Sequence, residues 1–261
     1  MSQSLEQSGA PQGACGCHHC ECGAPDTTYA PSPAVQTVKI PDYLEKTYWW
    51  AYVRPWAVKF WEREWLTNLI LLGNYNLLRD ETLAAYGDHV PGKTLQISCA
   101  YGSMTPHLYD KIAASGGELD VIDVVQPQLD NLNRKLPVAH KARLMRMDST
   151  NLSLPDAAYD RVMLFFLPHE QPREFRLKSF NEAFRVVKPG GTVIIMEFAR
   201  PKWWNPIRYF YFPFLAFLEP FAPDIWKHDD VTAWLPKTYA DRIVSRKKFF
   251  GSVFQLLQIK A

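Results

Sequence analysis

From Gly92 onward, short apolar runs alternate with stretches of helical spacing. Residues 94–99, 118–123, 142–147, 161–166 and 192–198 read as strands. Residues 105–114, 129–135 and 173–187 carry helical periodicity, the last stopped by Lys188-Pro189-Gly190-Gly191. Strands that alternate with helices in this way form a parallel sheet covered on both faces. The pattern therefore predicts a doubly wound α/β domain. Two apolar runs near residues 247–250 and 253–259 flank Gly251 and predict a closing antiparallel hairpin.

Upstream of this core the periodicity is different. Pro55 suits a first helical turn, and Ala57, Phe60, Trp61, Trp65, Leu69 and Leu72 follow as one stripe that ends near Gly73. Lys59, Glu62 and Arg63 take the opposite face. The reading is a single amphipathic helix within a lid of residues 39–90. It either packs on the following domain or meets a lipid or lipophilic substrate, since tryptophan favours interfaces. Residues 91–261 form the main domain, with an aromatic insertion at about 201–240. Residues 1–38 read as an appended tail. Cys15, Cys17, Cys20 and Cys22, with His18 and His19, crowd into eight positions there. Such thiolates and imidazoles suit a soft metal, but zinc folds usually separate two ligand pairs by a dozen or more residues. The surrounding Gly, Pro, Ser and Ala favour a disordered tail.

Charge narrows the partners. Lys and Arg number 29 against 27 Asp and Glu, a net charge of +2, which gives no case for nucleic-acid binding. No run reaches the ~18 apolar residues of a spanning helix, and the first residues lack the pattern of a secretory or mitochondrial leader. The expectation is a cytoplasmic protein at the inner face of a membrane. Nine tryptophans are the compositional anomaly, five of them between Trp49 and Trp65 and two adjacent at Trp203 and Trp204.

In a doubly wound sheet, ligands bind at the carboxyl ends of the strands. The first predicted strand runs into Gln96-Ile97-Ser98-Cys99-Ala100-Tyr101-Gly102, a turn leading to a helix. The second ends at Asp123, placed to take the hydroxyls of a ribose. The third ends at Asp148 and Ser149, placed to read an adenine amino group. A single strand-end Asp is also a common helix cap, but two at these intervals after a glycine turn favour a nucleotide-like ligand.

Arg185-Val186-Val187-Lys188-Pro189-Gly190-Gly191-Thr192, followed by Glu197-Phe198-Ala199-Arg200-Pro201, is very similar to the signature of the ubiquinone/menaquinone C-methyltransferases. Leu154-Pro155-Asp156 with Tyr159-Asp160 is similar to that group's link between the third and fourth strands. The segment of about residues 92–200 thus resembles the class I S-adenosylmethionine-dependent methyltransferases. The resemblance implies their seven-stranded, mostly parallel Rossmann-like sheet and S-adenosylmethionine as cofactor. It implies Gln96, Ser98, Ala100, Gly102, Asp123, Asp148 and Ser149 as cofactor-binding residues.

The departures are informative. That family usually carries an acid at the position of Gln96, glycines at Ser98 and Ala100, and a small residue at Tyr101. Cys99-Ala100-Tyr101-Gly102, Met147-Asp148-Ser149-Thr150, residues 165–172 and Leu218-Glu219-Pro220-Phe221-Ala222 resemble instead the rhodoquinone biosynthesis family, from about residue 40 onward. That resemblance implies amination: S-adenosylmethionine donates nitrogen, and an amino group replaces a ring methoxy group of ubiquinone. It also implies a divalent metal, manganese. A neutral amide at Gln96 would not hold the cofactor's ammonium charged as a carboxylate would, and Ser98, Ala100 and Tyr101 would tilt the methionine arm. Tyr101, His169, Glu170 and Gln96 are the catalytic candidates. His169 and Glu170 would serve as proton acceptors or metal ligands, or else as a loop hydrogen bond and a solvated acid. Glu197 is a further candidate. Residues 203–221 suit a roof over a lipophilic ring and its isoprenoid tail, or else ordinary helix packing. The alternatives are a conventional methyltransferase acting on a lipophilic quinone or phenol, and an inactive methyltransferase fold that binds quinone or assembles partners.

Overall fold

The computed structural model describes residues 38–224 and 230–261. The tail with Cys15, Cys17, Cys20, Cys22, His18 and His19 lies outside the described residues. After α1 (Asp42–Thr47), one wide helical turn (Trp49–Val53), α2 (Pro55–Trp61), α3 (Glu64–Ile70) and α4 (Tyr75–Ala84), the chain enters a repeating αβ core. That core comprises β1 (Lys93–Ile97), α5 (Met104–Ala114), β2 (Glu118–Asp123), α6 (Gln126–Lys135), β3 (Arg143–Arg146), β4 (Tyr159–Phe165), α7 (Arg173–Val186) and β5 (Val187–Phe198). It closes with α8 (Ile207–Leu218) and the hairpin β6 (Ile243–Phe249) and β7 (Phe254–Lys260).

The seven strands form one sheet in the order β3-β2-β1-β4-β5-β7-β6. The first five run parallel, and β7 pairs antiparallel with both β5 and β6. The expected doubly wound sheet and terminal hairpin are both present. Leu95, Ile97, Val121, Val162, Met163, Leu164, Ile194 and Ile195 are buried on the two faces of this sheet, the reason its strands read as nearly continuous apolar runs. The strand order reverses between β1 and β4, and a crevice opens there at the carboxyl ends. One boundary differs from expectation. β5 begins at Val187, ahead of the Pro-Gly-Gly turn, because Tyr159 pairs with Val187 before the register shifts and Arg161 pairs with Thr192.

The N-terminal helices differ more. The stripe expected to form one helix breaks at Glu62 and Arg63, where Arg63 takes an extended conformation. Ala57, Val58 and Leu66 are buried, whereas Phe60, Trp65 and Leu69 of the expected apolar stripe are exposed. The cause is Glu62, which turns inward to meet Lys135 Nζ at 2.8 Å and accept from Asn131 Nδ2 at 2.6 Å. A buried acid with partners thus outweighs the apolar periodicity.

Arg176 of α7 fastens the far wall of the crevice. It is fully buried and donates to the carbonyls of Pro168 at 2.7 Å, Gln171 at 2.8 Å and Phe221 at 3.0 Å. Its guanidinium lies 3.9 Å from the centre of the Trp234 ring. One cation therefore ties the turn after β4 to the segment after α8. Arg176→Leu leaves these carbonyls without a donor, and we expect urea denaturation to show a loss of about 3–5 kcal/mol.

Candidate active site

The turn from Ser98 to Gly102 joins β1 to α5, and apart from Ser98 N, which donates to the Ile122 carbonyl at 2.9 Å, the sheet does not satisfy its backbone. Side chains do so instead. Asp123 Oδ2 accepts from Cys99 N at 2.9 Å and Ser98 Oγ at 3.2 Å. Lys135 Nζ donates to the carbonyls of Ala100 (3.1 Å) and Gly102 (2.8 Å). Glu62 accepts from Gly102 N, and the Tyr75 hydroxyl donates to the Tyr101 carbonyl while accepting from Met104 N. Gln96 Nε2 donates to the Ser98 carbonyl and to Thr105 Oγ1, both at 2.9 Å. Ser98 holds φ +72°, a left-handed conformation natural to glycine that costs a side-chain-bearing residue about 1–2 kcal/mol.

Ser98, Ala100, Tyr101, Asp123, Asp148, Ser149, His169 and Glu170 all line a single cavity at the strand ends. Gln96 and Gly102 do not reach it. Gln96 is fully buried behind the turn, so its influence on a ligand passes through the backbone it braces. Asp123 Oδ1 also accepts from Val125 N at 2.9 Å, and burial raises its carboxyl against the pull of these hydrogen bonds. Asp148 caps the next turn through Thr150 N and Oγ1, both at 2.8 Å. Ser149 Oγ lies 2.8 Å from Ser179 Oγ and accepts from Gln171 Nε2 at 3.0 Å.

Tyr101 stands at the junction of core and lid. Its hydroxyl donates to the Ala51 carbonyl at 2.7 Å and accepts from Gln128 Nε2 at 2.8 Å, and its ring stacks on Tyr52 at 5.7 Å. Burial drives its phenol above the ordinary tyrosine value. Its proton is thus committed to a carbonyl, and the residue acts here as a fastener.

The same cavity holds an acid cluster. His169 is buried and meets Glu197 twice: its N–H donates to Oε2 at 3.0 Å, and Nδ1 lies 3.0 Å from Oε1. Burial alone would lower the imidazole, but the charge and hydrogen bond of Glu197 outweigh it and raise the ring to about 9. At neutral pH it is an imidazolium. Burial raises Glu170 to about 8, with the His169 charge opposing and Glu219 reinforcing. Glu219 is likewise raised by burial and accepts from the Tyr52 hydroxyl at 3.4 Å. Phe166, which packs against His169, holds φ +56°, the kind of strain that marks functional turns.

Glu62, Lys135, Gln128, Tyr52 and Glu219 escape residue-by-residue reading of the sequence. Glu219 sits inside one of the resembling segments, with no role attached. The others belong to helices whose spacing says only which face is polar. Among the described residues, no group of three or more His, Cys, Asp or Glu could hold a metal ion. The manganese implied by the resemblance thus finds no donor set among these residues, and no chemical step is derived through one.

The cavity holds about 1360 Å³ of unfilled space, its open mouth included. Strand order, switch-point crevice and strand-end acids define the class I methyltransferase fold. Residues 62–242 match the model of the ubiE/COQ5 methyltransferase family, and the chain belongs to that family. The demethylmenaquinone methyltransferase of Clavibacter sepedonicus is 30% identical over 138 residues, 52% of this chain and 53% of that enzyme. This chain thus spans about half of that relative's length. The Staphylococcus saprophyticus enzyme of the same name is 24% identical over 201 residues, 75% of this chain and 84% of that enzyme. Among solved structures, the PH0226 protein of Pyrococcus horikoshii superposes with a TM-score of 0.54 at 15% identity, covering 85% of this chain and 99% of that one. The N-methyltransferase NodS of Bradyrhizobium japonicum in complex with S-adenosyl-l-homocysteine gives 0.51 at 13% identity, over 71% and 86%. These two likenesses concern the fold alone.

Two outcomes follow. In Gly102→Ala, an added Cβ would lie 2.5 Å from the Tyr75 hydroxyl at φ +74°, and we expect a stability loss of at least about 2 kcal/mol by thermal denaturation. Both His169 and Glu170 are raised, so the stability they contribute is complete below their unfolded values and drains away as pH rises. That window runs from 4.5 to about 8 for Glu170 and from 6.5 to about 9 for His169. In Glu197→Gln, the His169 ring followed by NMR should titrate well below about 9, and the alkaline limb of the stability profile should flatten. An unchanged midpoint would contradict the pairing.

Proposed function

We propose that the chain binds S-adenosylmethionine and transfers one of its groups to the ring of a lipophilic quinone. The observation that carries this reading is a single cavity lined both by Asp123, Asp148 and Ser149 and by a buried His-Glu cluster among aromatic side chains. Asp123 takes the ribose hydroxyls, and Asp148 with Ser149 reads the adenine edge. The ring lies among Phe165, Phe166, Phe198 and Leu215.

Methyl transfer to a ring carbon is the reaction the relatives favour, since two of them are demethylmenaquinone methyltransferases. Here the ring carbon attacks the sulfonium methyl, and the thioether S-adenosylhomocysteine leaves. The ring proton passes to Glu170 or Glu219 in its ionised form, Glu170 being ionised only above about 8. His169, held charged by Glu197, steadies negative charge on a quinol oxygen.

A second reading, amine transfer in rhodoquinone formation from ubiquinone, is favoured by one observation. Ser98 and Tyr101 stand where the family keeps small residues, and the Tyr101 ring narrows the cavity beside the turn. In that case an ionised carboxylate of the same pair accepts the proton of the attacking amine, and the ring methoxy group leaves as methanol. The quinone takes up the electrons of the cofactor's Cα–H bond, so that hydrolysis of the resulting imine frees the amino group.

The test uses purified full-length protein and S-adenosylmethionine labelled with carbon-13 on the methyl and nitrogen-15 on the amine, offered with demethylmenaquinol or ubiquinone. Mass analysis of the quinone separates the readings. Carbon-13 in the product supports methylation, and nitrogen-15 with loss of a methoxy group supports amination. No label from either, together with no cofactor binding by calorimetry, overturns both. Asp123→Asn should weaken cofactor binding at least about tenfold, the loss expected for a charge-assisted hydrogen bond.

A further inference from the structure

Helix α8 breaks the rule that a surface helix is apolar on one face only. Its inner face is Tyr211, Phe212 and Leu215. Its outer face is also apolar, with Phe210 80%, Phe214 54% and Phe217 85% exposed. A helix hydrophobic all round belongs inside a protein or against lipid. The Tyr211 hydroxyl donates to the Ile70 carbonyl at 2.6 Å and so sets α8 beside the end of α3. There Trp65 is 61% exposed and Leu69 64%, and Trp56 of α2 is 60% exposed. The three helices thus carry exposed aromatic and aliphatic side chains well beyond the scattered ones normal on a monomer.

The charges of these segments are one-sided. Arg54, Lys59, Arg63, Lys202 and Arg208 lie among the rings, and residues 201–218 contain no acid. Three of these cations sit over aromatic faces: Arg63 over Phe60, Lys202 over Trp204 and Arg208 over Tyr209. Glu62 is turned inward to Lys135, and Glu64 faces Arg79 at 3.9 Å. Aromatic residues interleaved with unopposed cations make an interfacial surface that reads both acyl chains and anionic head groups. A second copy of this chain would bring like charges together. Among the described residues, no helix is long and apolar enough to cross a membrane, so contact of this kind is with the bilayer surface.

The seam between α3 and α8 adjoins both an outer groove and the cavity. Leu72 and Phe214 line a shallow outer groove, while Ile70, Leu71, Leu215 and Leu218 line the catalytic cavity. We propose that the face formed by α2, α3 and α8 docks on an anionic bilayer, and that the α3–α8 seam is the passage by which a membrane-dissolved substrate reaches the cavity. The passage rests on the quinone reading; the docking rests on the surface alone.

The experiment is flotation of the full-length protein with vesicles of phosphatidylcholine, with and without phosphatidylglycerol. The protein should float with the phosphatidylglycerol vesicles, and added salt should weaken the association. The triple substitution Phe210→Ser, Phe214→Ser and Phe217→Ser should reduce flotation at least about tenfold, with circular dichroism unchanged. Lys59→Gln with Arg208→Gln should remove the preference for phosphatidylglycerol. Absence of flotation in the unsubstituted protein overturns the proposal. So does a dimer in analytical ultracentrifugation that the triple substitution dissolves, because the face would then join two copies. Flotation needs neither cofactor nor quinone, so its failure leaves the proposed reaction standing. Flotation without label transfer would sink the reaction and leave the docking in place.

Discussion

The constraint on which the site depends is the unsatisfied backbone of the turn from Ser98 to Gly102. A polypeptide that leaves a strand and starts a helix in five residues exposes donors and acceptors that the sheet cannot meet. Here Gln96, Asp123, Lys135, Glu62 and Tyr75 meet them from five directions. Tyr75 and Lys135 come from α4 and α6 and Glu62 from the break that follows α2, so all three elements are docked by the requirements of one turn. Fixing the turn before any ligand arrives removes an ordering cost from binding. The same ties recruit the N-terminal segment into the site, since Glu62 and the Tyr101–Ala51 hydrogen bond hold it over the cavity.

Arg176 plays the matching part on the other wall. A buried cation costs several kcal/mol unless it is well solvated by the protein, and three backbone carbonyls and the Trp234 ring supply that solvation. Two of the carbonyls, Pro168 and Gln171, bracket His169 and Glu170, and the third, Phe221, lies two residues past Glu219. The acid cluster therefore draws its geometry from a residue that touches none of its carboxylates. It also explains how elements far apart in sequence, the turn after β4 and the tail of α8, share one proton-handling site.

The αβ core was legible because its strands are buried on both faces and its acids fall at strand ends, signals that local sequence carries. Asp123, Asp148, Ser149, His169 and Glu170 reach the cavity as expected. The helices before the core were less legible. Periodicity placed Trp65 and Leu69 on one stripe and Glu62 opposite without saying which face turns inward, and Glu62 turns inward because it has Lys135 and Asn131 to meet. Long-range pairing of that kind, across 69 or more positions, leaves no trace in local spacing. Tyr52 and Glu219 escaped notice for the same reason: each becomes a site residue only when two distant segments fold over one crevice.

The position of Gln96 shows how an apparent change of chemistry can be a change of support. Read along the chain, an amide where relatives keep an acid invites an argument about charge beside a cofactor ammonium. In the fold, that amide stands behind the turn and donates to the Ser98 carbonyl, a bond no carboxylate could make. A carboxylate there would set a negative oxygen against a carbonyl and push the turn away. Gln96 also complements its neighbours: Ser98 keeps a glycine-like φ while its hydroxyl donates to Asp123, and Tyr101 spans to the lid. Three of the four departures therefore act as one structural unit. They exchange a flexible glycine turn for a braced one, and the cavity wall that any cofactor would meet is reshaped by backbone position, with the substituted side chain at Gln96 itself out of reach.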